Sequence, residues 1–392
     1  MPDINVFQAA KQRITAIYQE FGHQVYFSFS AGKDSSVMLH LALEIARDLD
    51  VLPVNVLFID LEAQYTHTIN HATEMLTHPD VNPYWVCLPL HLRNAVSMYQ
   101  PQWVCWNLSE KEKWVREIPQ HPGVINDTAF FPFYRYGMEF EEFIFEFGKW
   151  FAQGKPTACG VGIRMDESLN RYRTIHDTRK GRWNDQPWTT NTGNQVYSFY
   201  PLFDWKTEDI WAAIGKNNWS YNHIYDLMYQ RGWSIHECRI CQPYGDDQRK
   251  GLDLFRFCEP ETWAKVVDRV SGANFGNIYC RSFLLGHKKI LLPKGHTWKS
   301  YTEFLLETIP LYEKEWFLQK FRVFHKWWIE NGYPEGIPDT ADSHLEVSKQ
   351  APSWRRLAKT ILKNDKLCKG LSFSQTKNQF RKYRELREQY GE

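Results

Sequence analysis

The period of apolar positions along this chain alternates between that of a helix and that of a strand. Over the opening "MPDINVFQAAKQRITAIYQEFG", Val6, Ala9, Ile14 and Ile17 fall at helical spacing. The aromatic and β-branched run "HQVYFSFS" then predicts a buried strand. Residues 35–49 return to helical spacing through Val37, Met38, Leu41, Ala42, Ile45 and Leu49. The next segments repeat the cycle: "LPVNVLFID" reads as a strand, "AQYTHTINHATEMLT" as a helix and "NPYWVCLPL" as a third strand. Strands alternating with helices predict an α/β fold with a doubly wound, mainly parallel sheet. Such a sheet gathers function at the C-terminal ends of its strands.

From Arg93 to Gly137 prolines and isolated aromatics break this rhythm, which predicts an elaboration covering one edge of the site. Regular structure returns with the helix "MEFEEFIFEFGKWFAQG" and the strand "PTACGVGI". "QVYSFYPLFDW" and "TEDIWAAIGKNN" form another strand–helix pair, with Thr207 expected as the helix N-cap. This organisation places a core α/β domain over 1–218 and a turn-rich, cysteine-containing segment over 219–299. A C-terminal, largely helical extension rich in Trp and Lys occupies 300–392.

The chain is 392 residues long, enough for a sizeable core and more than one domain. Its formal net charge is +1, so bulk charge announces neither nucleic acid nor a membrane surface. The charge is unevenly spread: residues 351–392 carry 11 Lys/Arg against 4 Asp/Glu, a local net of +7. That asymmetry is read as a solvated basic helix, with nucleic-acid binding as the alternative. No apolar run approaches bilayer length, and the first helix lacks the continuous apolar stretch of a secretory signal. Eight scattered cysteines in such a chain fit reduced thiols and a cytoplasmic location better than a disulfide framework.

The chemistry is concentrated where the first strand meets the second helix, at "SFSAGKDSS", Ser28 to Ser36. A strand running through a glycine turn into a helix presents backbone N–H groups and the positive end of the helix dipole to an anion. Ser30, Ser35 and Ser36 add hydroxyls, Lys33 a cation, and Gly32 room for close approach. Asp34, misplaced beside phosphates, is expected either to cap the loop or to help hold Mg²⁺. The spacing is not that of a Walker A loop.

S-x-G-K-D-S after the first strand resembles the PP-loop of the adenine-nucleotide α-hydrolase superfamily. That superfamily includes ATP pyrophosphatases, the small subunit of bacterial ATP sulfurylase and the phosphoadenylyl-sulfate (PAPS) reductases. Ala31 stands where the family usually has glycine; if that position requires positive φ, alanine costs about 1 kcal/mol there. "LFIDLEAQYTHT" is similar to the family's second-strand segment, which implies that Asp60 faces the nucleotide, with Glu62 nearby. "GVGIRMDESLNRYRTI" is similar to the segment G-x-R-x-D-E-S-x-x-R. There Gly162 lies beside the ligand, Arg164 and Arg171 offer oxyanion forks, and Asp166 and Glu167 orient them or a metal. "YPLFDWKTEDIWAAI" resembles a further family phrase in which Pro201, Asp204, Trp205 and Asp209 are structural. Beyond residue 218, "CQPYGDDQRKGLDLFRFCEPETWAKVV" and "PSWRRLAKTILKNDKLCKGLSFSQTK" resemble a narrower group: bacterial PAPS-reductase-like proteins with an uncharacterised C-terminal domain, including the immunoglobulin-binding regulator A type.

Three functions follow as expectations. The first is ATP binding with cleavage between the α and β phosphates, pyrophosphate release and adenylation of an acceptor. In it Lys33, Asp34, Arg164 and Arg171 assist the chemistry and Asp34 and Asp60 are the Mg²⁺ candidates. The second is thiol-dependent PAPS reduction or sulfur transfer. Glu237-Cys238 is reminiscent of the reductases' E-C-G-[IL]-H, although Arg239 replaces the glycine and Cys241 the histidine. The third is a non-enzymatic, nucleotide-sensing regulator whose basic tail contacts a regulatory protein or nucleic acid. Cys238 and Cys241, with His236, Cys258 and Cys280, also allow a zinc site, an iron–sulfur cluster, a redox thiol or ordinary unligated thiols. The polar run Tyr244, Asp246, Asp247, Gln248 and Arg249 reads as either a closing segment over the site or a hydrophilic turn.

Overall fold

The computed structural model describes residues 5–95, 100, 102–176, 181–240, 242–245, 252–270, 292–293, 295–363, 365 and 368–372. Two compact units divide the chain, Met1–Asn277 and Ile278–Glu392.

In the first unit, α1 (Val6–Phe21) leads into β1 (Val25–Phe29), α2 (Lys33–Asp48), β2 (Val54–Ile59), α3 (Thr66–Leu76) and β3 (Val81–Val86). An antiparallel hairpin of β4 (Leu90–Arg93) and β5 (Gln102–Cys105) follows, then the two-residue β6 (Val124–Ile125). The chain returns through α4 (Phe140–Ala152), β7 (Thr157–Val161), α5 (Leu169–His176), β8 (Thr189–Gly193), β9 (Val196–Phe199), α6 (Thr207–Asn217) and α7 (Ile224–Gln230). The helices α8 (Leu252–Cys258) and α9 (Pro260–Arg269) complete its described elements.

Seven strands form one sheet in the order β6-β3-β2-β1-β7-β9-β8, parallel except where β8 runs antiparallel to β9. The expected doubly wound sheet is therefore present. From β1 the chain winds outward through β2 and β3, then returns to lay β7 on the other side of β1. That reversal opens a crevice at the C-terminal ends of β1 and β7, where such sheets bind ligands. Apolar faces of α1 and α2 close over the strands: Ile14, Ile17, Val37, Leu41 and Val56 are fully buried together with Phe27.

Two local expectations are corrected. The 93–137 elaboration is not all outside the sheet, since Val124 and Ile125 pair with Trp85 and Val86 as an edge strand. Two residues are too short to register as a periodic run among prolines. The N-cap of α6 is Lys206, not Thr207: Asp209 Oδ2 accepts from the Lys206 N–H at 2.8 Å, while the Thr207 hydroxyl is used elsewhere. Pro201, Asp204 and Trp205 anchor α1, through Arg13 to Pro201 O and Asp204, and through Trp205 Nε1 to Val6 O.

The second unit is helical: α10 (Trp298–Glu307), α11 (Leu311–Glu330), α12 (Ser343–Val347) and α13 (Trp354–Leu362). Trp298, Leu306, Phe317, Phe321, Phe324, Leu357 and Ile361 form its core. Among the described residues, several of its cations are engaged within the unit. Arg355 and Lys359 pair with Glu346 at 2.8 and 3.7 Å, and buried Arg356 donates to Ala351 O and Gly370 O. The remaining basic residues from 373 onward lie outside the described residues.

Candidate functional site

β1 ends at Phe29, and Ser30, Ala31 and Gly32 carry the chain into α2 at the crevice. Ala31 has φ of +55°, the left-handed conformation that its non-glycine side chain disfavours by about 1–2 kcal/mol. Asn222 holds it there. The fully buried amide donates to Ala31 O and to Thr68 Oγ1, both at 3.0 Å, and accepts from Ile224 N at 3.1 Å. Gly32, the N-cap of α2, supplies no side-chain hydrogen bond, so the N–H groups of Asp34 and Ser35 point from the first turn without an intrahelical acceptor. Gly162, just beyond β7, lies against this turn; a Cβ there would come within 3.1 Å of Ser35 N.

The serines divide by orientation. Ser30 is exposed, and its hydroxyl lies 3.0 Å from Ser35 Oγ, which also accepts from Ser30 N at 3.2 Å. Ser35 and Ser36 both reach Gly32 O at 3.0 Å. Ser36 is fully buried and sits 2.7 Å from His71 Nε2, turned away from the crevice. Ser28 is half-buried within β1, one residue before the strand ends.

Lys33 is 5% exposed and has three neighbours. Its ammonium lies 3.3 Å from Asp34 Oδ2, 3.4 Å from Cys238 O and 5.3 Å from the centre of the Tyr225 ring. Its backbone N–H donates to Tyr225 Oη at 3.2 Å. The other Asp34 oxygen takes the Nε–H of Arg164. Arg164 is 2% exposed; it also reaches Asp166 and Trp205 O at 3.4 Å and Thr207 Oγ1 at 3.3 Å. Its guanidinium is thus committed to positioning Asp34 rather than spread towards solvent. Arg171 is about half exposed and pairs with Glu167 at 3.7 Å.

Asp60 and Glu62 are placed differently. Asp60 is fully buried, with its carboxylate on Arg116, Trp85 Nε1 (2.9 Å) and Glu62 N (3.0 Å). Glu62 accepts from Trp106 N at 2.7 Å and Val115 N at 3.1 Å, and forms a two-pronged pair with Arg269 at 2.7 and 3.2 Å. Among the described residues neither carboxylate bonds to the 30–36 loop. They clamp the 102–118 elaboration and α9 onto the end of β2.

These placements bear on metals. The oxygens of Asp60 are already taken in a dry cluster, so they do not fit a Mg²⁺ site, which demands a nearly complete oxygen shell. Asp34 keeps some exposure but holds two cations. Among the described residues no three His, Cys, Asp or Glu side chains gather as a metal set. Of the zinc candidates, exposed His236 lies 3.4 Å from Glu208, Cys238 is buried and Cys258 half-buried, while Cys241 and Cys280 fall outside the described residues. Burial raises the Cys238 thiol pKa, against a lowering pull from Lys33.

Sequence reasoning missed Asn222, Tyr225 and His71, the side chains that shape the loop. Of the polar run Tyr244, Asp246, Asp247, Gln248 and Arg249, which the sequence allows as a closing segment or a hydrophilic turn, Tyr244 is a packing residue. It is fully buried against Trp103, and its hydroxyl donates to Val266 O at 2.8 Å. Asp246 to Arg249 lie outside the described residues.

Residues 24–232 match the phosphoadenosine phosphosulfate reductase domain. The chain belongs to that family. Residues 232–336 and 334–382 match a domain of unknown function, DUF3440. The chain is 41% identical over 390 residues to the uncharacterized protein YbdN of Escherichia coli (strain K12), covering 97% of this chain and 94% of that one. More distant likenesses are to solved structures. The FMN adenylyltransferase of Candida glabrata is 16% identical with a TM-score of 0.31, over 56% of this chain and 58% of that one. The PAPS reductase of Candida auris, in a phosphate complex, is 15% identical with a TM-score of 0.29, over 56% and 84%. Likeness at that level carries no weight for function. No helix among the described residues is long and apolar enough to cross a membrane.

Proposed function

We propose that this family member binds ATP at the 30–36 loop, cleaves between the α and β phosphates and transfers the adenylyl group to an anionic acceptor. One observation carries the reading: a buried lysine and the first-turn N–H groups of Asp34 and Ser35, which have no intrahelical acceptor, lie together just past the C-terminal end of β1. Lys33 and the helix N-terminus would offset charge developing on departing pyrophosphate. Arg164 acts through Asp34, which it holds beside Lys33. Ser30 is the loop hydroxyl exposed to a ligand, and Gly162 lets the β7 loop approach the same turn. Arg171, Asp166 and Glu167 form the more exposed rim. Mg²⁺ would arrive on the nucleotide, with phosphate and water as its main ligands, and supply charge neutralisation there. The reduced thiols are consistent with a cytoplasmic setting.

A second reading, thiol-dependent PAPS reduction, is favoured by one contact: the peptide carbonyl of Cys238 lies on the Lys33 ammonium. The Cys238 thiolate would attack the sulfonate sulfur and break its bond to the phosphate oxygen, so that adenosine 3′,5′-bisphosphate leaves and Cys238 carries the sulfonate; an external dithiol reductant would then release sulfite and restore the thiol.

Calorimetric titration with ATP, AMP and PAPS, beside pyrophosphate- and sulfite-release assays, separates the two readings. The first requires ATP binding and pyrophosphate release. Sulfite release abolished by Cys238→Ser, with nucleotide binding intact, would establish the second instead.

A further inference from the structure

We infer that residues 234–240 form a latch standing where an oxyanion ligand of the loop would bind, so that Lys33 becomes available only when the latch lifts. The inference rests on the loop's being a phosphate site, as proposed above.

Besides Asp34, whose Oδ2 lies 3.3 Å from the ammonium, Lys33 faces two further oxygens of the same chain. The Tyr225 hydroxyl sits on its backbone N–H at 3.2 Å and the Cys238 carbonyl on its ammonium at 3.4 Å. Two oxygens so placed mimic those of a bound phosphoryl or sulfonyl group. The Ile240 side chain closes the same space, 3.6 Å from where a side chain on Gly32 would begin. An incoming polyanion must displace these groups to reach the lysine.

The latch is built to move. Residues 234–238 form a small self-contained turn. Glu237 and Cys238 N–H groups donate to Ser234 O, and Glu237 accepts from the Ser234 N–H and hydroxyl. Besides Cys238 O, its polar ties to the body among the described residues are two. Arg239 donates to Glu167 O, and His236 faces Glu208 with both side chains more than half exposed, a pairing that holds little. Gly232, at φ +85° with nothing crowding it, lies between α7 and the turn as a hinge. The tie to Glu167 joins the latch to the R-x-D-E-S segment, so an anion drawing that segment inward would also disturb the latch.

The test labels surface amines on the full chain with trinitrobenzenesulfonate and follows Lys33 and exposed Lys155 by mass spectrometry. Lys33 is expected to react far more slowly than Lys155 in the wild type. Losing the charge-assisted Arg239 bond in Arg239→Ala should speed Lys33 about tenfold while leaving Lys155 unchanged. Ile240→Ala removes no charge and should act in the same direction, which excludes a purely electrostatic effect on the reagent. Hydrogen exchange across 234–240 should quicken when ATP is added. Equal Lys33 labelling in wild type and both variants overturns the latch, as does slower exchange with ATP bound. If the variants speed labelling but ATP neither protects Lys33 nor alters exchange, the latch stands and the nucleotide reading falls.

Discussion

Two clusters of charge stand at the strand ends of this sheet, and they are finished differently. Around Glu62, two fully buried carboxylates have their oxygens met: Glu62 by Arg269 and the N–H groups of Trp106 and Val115, and Asp60 by Arg116, Trp85 and the Glu62 N–H. Around Lys33 the balance is uneven: the N–H groups of Asp34 and Ser35 have no intrahelical acceptor, and the ammonium rests partly on a carbonyl from a thinly tied turn. A saturated cluster holds a fold together. An unsaturated one keeps capacity for a ligand. Residue type alone does not distinguish the two, since each contains acids and bases near the same sheet edge.

The strongest test of this contrast removes an ion from the saturated cluster. Arg269 and Glu62 side chains are 1% and 0% exposed, so Arg269→Ala leaves a carboxylate buried without its cation. The expected loss of stability is about 3–5 kcal/mol, read by denaturant unfolding. A loss below about 1 kcal/mol would mean that water enters the cluster and that the contrast is false.

The matching change in the open cluster should act on binding instead. Lys33→Ala removes one cation from a polyanion site, worth about 1.5–3 kcal/mol of ATP affinity, or roughly ten- to hundredfold in Kd. The fold should persist, because Asp34 keeps its bond to Arg164. Unchanged ATP affinity in calorimetry would reduce the loop to a turn.

Much of this was legible in advance, for local reasons. The strand, the loop and the helix from 25 to 48 are written in one continuous period change. Arg164 and Gly162 follow the next inner strand, so topology alone delivers them to the loop. What the sequence hid is pairing across long separations. Asp60 reads as a ligand-facing acid because the strand end is where such acids stand. Its actual partner, Arg116, lies in an irregular segment with no period to place it. Tyr225 and His71 reach the loop from helices whose facing is set by packing, and Asn222 from the turn before α7; a lone Asn, Tyr or His carries no pattern.

His71 supplies a prediction of intermediate size. Burial lowers its pKa from 6.5 to about 4, so the folded protein holds it neutral beside Ser36. Its Nδ1 lies 3.7 Å from Glu74, beyond hydrogen-bond range. The unfolded chain binds a proton more readily, so the stability due to this group is complete above pH 6.5 and is lost as pH falls towards 4. Between pH 7 and pH 5 the wild type should lose about 2 kcal/mol more than His71→Gln, which keeps an amide donor for Ser36 without a titrating ring. Parallel slopes for the two proteins in urea unfolding would show that His71 is hydrated and plays no part in holding the loop.

The smallest expected effect comes from the residue where this loop departs from the family's glycine. Ala31→Gly relieves a left-handed alanine, a gain of about 1–2 kcal/mol. Two losses oppose it: glycine gives the unfolded chain about 0.4–1 kcal/mol of extra entropy, and the buried methyl takes about 0.8 kcal/mol of apolar burial with it. The sum lies near zero, so unfolding should shift by less than about 1 kcal/mol in either direction. The alanine is therefore tolerated because its methyl packs into a closed site and Asn222 holds its carbonyl, at 0% exposure and 3.0 Å respectively. That account has its own control in Asn222→Ala. Without the amide, Ala31 O and Thr68 lose their shared donor, and the strained turn should relax at a further expense of about 1–3 kcal/mol. If Ala31→Gly instead stabilises by well over 1 kcal/mol, the methyl contributes no packing and the loop is strained without compensation.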